Sequence, residues 1–291
     1  MYPEGGAEPA PAADYGEPMS AKIGAHLEGL IPIILIIVIG LLLALKFGVI
    51  DNRTPIIGQF ADVLGPLGGG EKTKILIVGS TSQEVIDILN DHRDRLEYIT
   101  RTTDSLERNP VDQLANYDIL ILDQSEQSNK EVSKKLGEAI QRFVKNGGKF
   151  ILVGDSGIRR PDTFDVIGWR NTFGDIVPVE CDRVVNNQPT CTNPILVNGK
   201  LYRQDERHRV MQGIDLFPAD PFRNATFRVF DVSQIGGKEI AYIQSAGIDK
   251  KTYPAVVEKN LVIGKVIYFN YNPGITRGIF ESTLNYLGVN Q

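Results

Sequence analysis

Residues 29–50 form an almost unbroken apolar run near the start of the chain, with Lys46 as the only charge. At about 1.5 Å per residue, a helix of this length spans about 33 Å, close to the roughly 30 Å hydrocarbon core of a bilayer. A cleaved signal peptide would start with basic residues and have a shorter core, but 28 residues containing five acids precede this run. The pattern predicts a single transmembrane helix over 29–50, with the lipid bilayer as its partner.

The segments on either side of this run lack the pattern of a folded domain. Residues 1–28 are rich in proline, glycine and acids and have almost no large aliphatic residues. They cannot bury enough apolar surface to fold alone, which predicts a disordered acidic tail. Residues 51–71 contain Pro55, Pro66 and three glycines at 68–70 and are predicted to be a linker.

From residue 72 onward, apolar runs typical of strands alternate with helical spacing. The predicted strands are 74–79, 96–100, 117–123 and 149–154. A capping box at 81–84 predicts a helix that buries Val85 and Leu89. A second helix is predicted over 132–144 and ends at the Asn-Gly-Gly of 146–148. This alternation indicates a mainly parallel sheet with helices on both faces.

The second half of the domain has a different pattern. Strand-like runs joined by short turns lie at 226–232, 239–244, 253–258 and 261–269. Short connections of this kind favour antiparallel strands that extend the sheet. A last amphipathic helix is predicted to turn Ile275, Phe280 and Leu287 inward and to end at Gly288. The folded domain is therefore expected to cover 72–291 as an α/β fold.

Composition excludes several classes of function. A formal net charge of −5 and the lack of any basic run argue against nucleic-acid binding, so no nucleic-acid partner is predicted. Two cysteines are too few for a structural zinc site. The chain carries no metal signature and no dinucleotide fingerprint, so we predict no metal and no cofactor.

Four short sequence segments, in their order along the chain, resemble the ThuA- and GldG-like branch of the class I glutamine amidotransferase-like superfamily. They lie at 147–154, 208–214, 253–257 and 264–270, the last followed by Pro273-Gly274 and a helix. The resemblance covers most of 72–288. It implies a flavodoxin-like three-layer sandwich, in a group that includes non-catalytic partner-binding domains of membrane and transport assemblies as well as sugar-related proteins.

The catalytic residues of that superfamily are missing here. Its enzymes carry Gly-x-Cys-x-Gly at a strand-to-helix elbow, where backbone N–H groups face the oxyanion, and a later His-x-Glu pair. The matching position reads Gly-Asp-Ser-Gly-Ile at 154–158, and His208 is followed by Arg-Val. The resemblance therefore implies a protein that is not a glutaminase, and we expect that it is not an enzyme.

Ser156, His208 and Asp155 or Asp123 offer an alternative, a serine hydrolase triad, if the fold brings them together. The competing interpretation is structural. Asp155 and Ser156 would satisfy backbone donors at the start of the next segment, and the His208 imidazole would anchor a loop. We favour the structural interpretation because these residue types coincide easily and no second signature supports the triad.

Ligands of open α/β sheets bind at the carboxyl ends of the strands, which predicts a candidate binding site there. Paired arginines in it could hold a carboxylate or phosphate, although adjacent arginines are more often a solvated surface. Trp169 follows as either a core residue or a contact anchor. The ligand-binding candidates are Ser80, Asp123, Asp155, Ser156, Arg159, Arg160 and Asn270.

Cys181 and Cys191 flank a polar loop that a disulfide would stabilise by about 3 kcal/mol in the chain-entropy model, given an oxidising compartment. Asn224 and Asn52 fit the glycosylation pattern. Against this, Lys46 at the end of the apolar run and Arg53 after it outnumber Lys22 before it, which mildly favours the opposite, cytoplasmic orientation. We expect a single-pass membrane protein whose soluble domain lies outside the cytoplasm.

Three functions remain open from the sequence. The main hypothesis is a membrane-anchored, non-catalytic binding or assembly module whose sheet edge or strand-end crevice engages a protein or glycan. The alternatives are a membrane-bound serine hydrolase using Ser156 and a sugar-binding domain stabilised by saccharides.

Overall fold

The protein's structure is a computed structural model that describes residues 36, 39–40, 72–181, 184–185 and 188–289. The chain divides into two units, Met1–Ala61 and Asp62–Gln291. In the first unit the described residues 36, 39 and 40 are helical. Across the described residues, no helix combines the length and the apolar character that crossing a membrane requires. The predicted tail, linker and nearly all of the predicted transmembrane helix lie outside the described residues.

The second unit contains sixteen strands and five α-helices in the described ranges. The strands are β1 (Thr73–Gly79), β2 (Leu96–Arg101), β3 (Ile119–Asp123), β4 (Lys149–Val153), β5 (Arg159–Arg160), β6 (Thr163–Ile167), β7 (Val179–Cys181), β8 (Val184–Val185), β9 (Gln188–Pro189), β10 (Ile195–Arg203), β11 (Leu216–Phe217), β12 (Ala225–Val229), β13 (Val232–Gln234), β14 (Lys238–Ser245), β15 (Thr252–Asn260) and β16 (Lys265–Phe269). The helices are α1 (Gln83–Asp91), α2 (Pro110–Leu114), α3 (Lys134–Lys145), α4 (Trp169–Phe173) and α5 (Arg277–Tyr286). Short 3-10 turns occupy Asp104–Leu106, Thr190–Thr192, Arg209–Met211 and Pro273–Thr276.

Ten strands form one sheet in the order β11-β10-β14-β15-β16-β4-β3-β1-β2, and β12 also pairs with β10. The strands β2, β1, β3, β4 and β16 run parallel to one another. The pairs β16–β15, β15–β14 and β14–β10 are antiparallel. This arrangement confirms a mixed α/β fold whose parallel sheet is extended by antiparallel strands.

The run 261–269 differs from its prediction as a purely antiparallel strand. Its first four residues form a turn closed by the Leu261 N–H and the Gly264 carbonyl, at 2.9 Å. The remaining residues, β16, are antiparallel to β15 but parallel to β4, with Lys265 opposite Lys149. The hairpin turn returns the chain alongside the last crossover strand, so β16 completes the parallel set.

Local capping explains where the helices start. Ser82 caps α1 by accepting from the Val85 N–H, so the cap lies one residue later than the predicted capping box. Thr81, predicted as that cap, instead donates its hydroxyl hydrogen to Asp123. Ser133 caps α3 in the same way, through the Leu136 N–H at 3.2 Å. Gly288 ends the last helix with φ 103°, a conformation that glycine adopts without steric cost.

The sheet separates two hydrophobic clusters, one on each face. Residues of α1 and α5 pack on one face, which we call face A, against alternate strand residues such as Ile75 and Ile267. Residues of α2, α3 and α4 pack on the other face, face B, against the intervening residues such as Leu76 and Tyr268. Helices therefore cover both faces, as the strand–helix alternation predicted. Ile275, predicted to point inward, is exposed.

The segment between β4 and β10 contributes to three short two-stranded pairings outside the main sheet: β5 with β6, β8 with β9, and β7 with the later strand β13. Trp169 is almost completely buried there, and its indole packs edge-on against Tyr268 with ring centroids 5.7 Å apart. Of the two interpretations for this tryptophan, it is a core residue. A disulfide joins Cys181 to Cys191, as predicted.

Candidate functional site

The carboxyl ends of the parallel strands bring several predicted site residues to one edge of the sheet. Four of these strands are adjacent in the sheet, in the order β16-β4-β3-β1, which differs from their order along the chain. Ser80 follows β1, Asp123 ends β3, Asp155 and Ser156 follow β4, and Asn270 follows β16. The question is whether these side chains face a ligand or one another.

Asp123 is held by its protein neighbours. Its carboxylate is 1% exposed and accepts from the Thr81 hydroxyl and, at 2.9 Å, from the Ser125 N–H. Burial raises the pKa of this carboxyl despite the two donors, because water no longer stabilises the charge. Both of its oxygens are engaged within the protein.

Ser156 is completely buried. Its hydroxyl oxygen accepts a hydrogen bond from the Gln124 N–H at 2.8 Å, and its carbonyl accepts from the Trp169 indole at 2.9 Å. The Gln124 side chain closes the same turn by accepting from the Gly157 N–H, also at 2.8 Å. Ser156 therefore satisfies a backbone donor, which is the structural role that we favoured from the sequence.

Asp155 and Asn270 are also engaged. A carboxylate oxygen of Asp155 lies 3.5 Å from the Lys130 ammonium. The Asn270 amide oxygen accepts from the Phe230 N–H and the Tyr268 hydroxyl, both at 3.0 Å. Its amide nitrogen donates to the carbonyls of Phe230 and Pro254 at 3.0 and 2.9 Å. With every amide hydrogen-bonding position used, Asn270 ties β16 to its neighbouring segments.

The two adjacent arginines have different surroundings. The Arg160 guanidinium donates to the carboxylate of Asp162, with Nε 2.8 Å from an oxygen, and to the Asn171 carbonyl at 3.3 Å. Arg159 is exposed, and its backbone bonds to the chain at Lys130 and Val132. The pair does not form a two-arginine clamp for an anion.

His208 lies on the other side of the sheet from Ser156. Its imidazole Nε2 is 3.1 Å from Glu258, whose Cα partner in the sheet is Ile267 of the face A cluster. Ser156 contacts Trp169, which belongs to the face B cluster. The structure therefore does not bring Ser156 and His208 together. The imidazole Nδ1 accepts from the Val210 N–H at 3.3 Å and anchors the loop, as the structural interpretation predicted.

A cavity of about 850 Å³ opens at the opposite, amino edge of the sheet. Sequence reasoning missed it because it looked only at the carboxyl ends of the strands. The available signal was a set of lysines at strand starts, Lys72, Lys74 and Lys149. The cavity is lined by Lys72, Thr73, Lys74, Ile75, Glu97, Tyr98, Ile99, Ala115, Asn116, Tyr117, Asp118, Lys149 and Gly288.

Lys149 has the most unusual environment among the cavity residues. Its ammonium makes no hydrogen bond or ion pair with any described residue. Burial lowers its pKa, and the attraction of the nearby Asp118 carboxylate only partly compensates. Lys265, its partner across the strands, instead donates to the Tyr286 hydroxyl at 2.6 Å.

The remaining predicted modification site is accessible. Asn224 is exposed in the loop that precedes β12. Asn52, the other glycosylation candidate, lies outside the described residues.

Across the described chain no group of three or more histidine, cysteine or acidic side chains is arranged to hold a metal ion.

No protein-family model matches the sequence, and no curated protein is significantly similar to it. Among solved structures, a β-galactosidase from Rahnella sp. R3 is 14% identical with a TM-score of 0.45 over 81% of this chain and 34% of its own. A β-galactosidase from the Antarctic haloarchaeon Halorubrum lacusprofundi is 12% identical with a TM-score of 0.47, over 75% of this chain and 31% of its own.

PurLQS from Thermotoga maritima is 12% identical with a TM-score of 0.42, over 75% of this chain and all of its own. The chain spans about a third of the length of the two β-galactosidases. Similarities this low support no argument about activity or fold family.

Proposed function

We propose that this chain is a membrane-anchored, non-catalytic binding module that engages a partner protein through the open edge of its sheet. In this proposal residues 29–50 cross the bilayer, and 72–291 are a flavodoxin-like three-layer sandwich of the glutamine amidotransferase-like superfamily. The domain lies outside the cytoplasm. The disulfide between Cys181 and Cys191 supports this side, because such bonds persist in oxidising compartments.

The environment of Ser156 carries the non-catalytic part of the proposal. A nucleophilic serine needs an accessible hydroxyl beside a base. Here the hydroxyl is buried and accepts from a backbone N–H, while His208 lies at the other face and binds Glu258. A serine hydrolase would require both residues to leave these contacts, so the binding module is the better explanation.

The edge strand β2 is the surface we assign to the partner. In the described ranges, β2 pairs only with β1, so its outer edge offers N–H and C=O groups to another strand. Ile99 is 40% exposed on this strand, and Glu97 and Thr100 are also exposed. A partner strand could therefore gain main-chain hydrogen bonds and contact an apolar side chain.

The first experiment tests the absence of a nucleophile. The full chain in native membranes is treated with a fluorophosphonate probe that labels active serines, next to the Ser156→Ala variant. We expect no labelling that depends on Ser156. Labelling that disappears in the variant would establish the hydrolase instead.

The second experiment tests the partner edge. A photo-crosslinking amino acid replaces Ile99 in membranes, and Glu138 on α3, which is similarly exposed, serves as the matched control position. We expect a discrete crosslink to another protein from position 99 only. A crosslink within the same chain, or equal yields from both positions, contradicts the assignment of β2.

A further inference from the structure

The cavity at the amino edge of the sheet has the size and lining of a small-molecule site. Its volume of about 850 Å³ lies in the roughly 300–1,000 Å³ range of ligand pockets. Most of its lining side chains are polar, in contrast to the mainly apolar pockets that hold apolar ligands. The residues come from the starts of β1 and β4, from β2 and from the segment before β3.

The cavity lining includes a cation, Lys149, that makes no hydrogen bond with its side chain in the described part of the chain. A half-buried ammonium has lost part of its hydration, and that loss is compensated only when an anion or an acceptor approaches. Lys149 is such a half-buried ammonium, whereas the ammonium of the neighbouring Lys265 donates a hydrogen bond to the Tyr286 hydroxyl. Three lysines against two carboxylates leave the lining net positive. The cavity therefore favours a ligand with an anionic group placed at Lys149.

The rest of the lining offers acceptors and aromatic rings. Asp118 uses one carboxylate oxygen for the Lys74 N–H, at 2.9 Å, and Glu97 is exposed on β2. The Tyr98 hydroxyl donates to Asn90 at 2.7 Å, which fixes the orientation of its ring. Carboxylates and amides accept hydrogen bonds from ligand hydroxyl groups, and a fixed ring provides an apolar contact for a C–H face.

We propose that this cavity binds a small anionic polyol, of the class of sugar acids and sugar phosphates. The anionic group lies at Lys149, and the hydroxyl groups donate to the carboxylates of Asp118 and Glu97. A neutral sugar lacks the group that pairs with Lys149. Inorganic phosphate lacks the hydroxyl-bearing ring that the other residues recognise.

Calorimetric titration of the full chain in detergent micelles tests the site. The probes are D-glucuronate, glucose 6-phosphate, D-glucose and inorganic phosphate. We expect saturable 1:1 binding of glucuronate or glucose 6-phosphate, with D-glucose and inorganic phosphate at least tenfold weaker. The glucuronate and glucose 6-phosphate titrations also show whether the anionic group is a carboxylate or a phosphate.

Lys149→Gln is the decisive variant, with Lys134→Gln on α3 as the matched control because Lys134 is an exposed lysine outside the cavity. We expect at least a tenfold loss of affinity in the first and none in the second. If Lys149→Gln fails to fold, Asn116→Ala removes an exposed lining amide and should weaken binding threefold or more.

Three results would overturn the proposal: no saturable binding of either anionic sugar, equal affinity for inorganic phosphate, or unchanged binding in the lining variants. The cavity lining shares Glu97, Tyr98 and Ile99 with β2, the strand assigned to the partner, but the titrations are done without that partner. Crosslinking from position 99 uses native membranes without added ligand, so failure of one test is distinguishable from failure of the other.

Discussion

The imidazole of His208 and the carboxylate of Glu258 form a nearly buried pair, with 3.1 Å between Nε2 and Oε2. Glu258 also accepts from the Asn260 amide at 3.1 Å and from the Tyr286 hydroxyl at 2.6 Å. The same hydroxyl accepts from the Lys265 ammonium. This cluster joins the loop at residue 208, two strands and the last helix, so we expect it to stabilise the fold.

Glu258→Ala should be strongly destabilising. It removes the acceptor for His208, Asn260 and Tyr286 and leaves buried donors without partners. We expect the free energy of unfolding to fall by about 3 kcal/mol, measured by urea titration. Glu138→Ala, at an exposed carboxylate on α3, should change it by less than about 0.5 kcal/mol. Equal effects of the two substitutions would contradict a structural role for the cluster.

The same carboxylate predicts an acid-dependent loss of stability. Burial by itself would raise the pKa of Glu258, but the hydrogen bonds from His208 and Tyr286 outweigh burial and lower the pKa below its ordinary value of 4.5. The carboxylate therefore contributes stability above pH 4.5, and this contribution is lost as the pH falls through the lowered pKa. The difference in unfolding free energy between wild type and Glu258→Gln should shrink over that window. A constant difference between pH 6 and pH 3 would show that another group dominates.

Asn270→Ala should also lower the free energy of unfolding of the domain. The substitution leaves the Phe230 N–H, the Tyr268 hydroxyl and two carbonyls unsatisfied in a fully buried site. We expect a loss of about 3 kcal/mol in unfolding free energy. The control is Asn116→Ala, because Asn116 is exposed and makes one side-chain hydrogen bond in the described chain. A loss below about 1 kcal/mol at Asn270 would mean that water replaces the amide.

The disulfide gives a prediction about both stability and location. Reduction of the bond between Cys181 and Cys191, ten residues apart, should lower the free energy of unfolding by about 3 kcal/mol. In native membranes both thiols should resist alkylation until a reductant is added, as measured by the masses of peptides that contain them. Free alkylation without reduction would place the domain in a reducing compartment and contradict the proposed orientation.

Lys149→Met should stabilise the ligand-free protein at neutral pH. Because the pKa of Lys149 is lowered in the folded state, the folded protein binds its proton less readily than the unfolded chain does. The charged Lys149 ammonium therefore destabilises the folded protein at pH values below the pKa that it has in the folded state. This destabilisation disappears as the pH rises through that pKa toward 10.5. The melting temperature of the variant should exceed that of wild type at pH 7, and the gap should narrow at higher pH. Lys134→Met should leave the melting temperature unchanged. A melting temperature of Lys149→Met below that of wild type at pH 7 would show that the buried ammonium does not destabilise the fold.

The parallel strands were predictable because their runs are apolar without interruption. β1, β3 and β4 each lie within two residues of their predicted ends. The short strands between β4 and β10 were not predicted, because no apolar run or regular period identifies strands of two to five residues. Their pairing depends on contacts with distant segments, such as β7 with β13.

The candidate site shows the same division. The sequence correctly indicated that polar residues follow neighbouring strands, yet it could not show that Gln124 bonds to Ser156 rather than leaving it open to a ligand. Side-chain satisfaction depends on which neighbours the fold supplies. The cavity at the amino edge was missed because Lys72, Lys74 and Lys149 come together only when β1 and β4 are placed in one sheet.

By itself, the sequence determined the α/β alternation, the N-cap of α1 to within a residue, and the lack of the superfamily's cysteine and His-x-Glu pair. These are local properties, since periodicity, capping and residue identity need no distant contact. Only the tertiary structure decided that β16 joins the parallel set, that Ser156 and His208 lie on opposite faces, and that Lys149 lines a cavity at the amino edge of the sheet. Each of these depends on contacts between residues far apart in the chain.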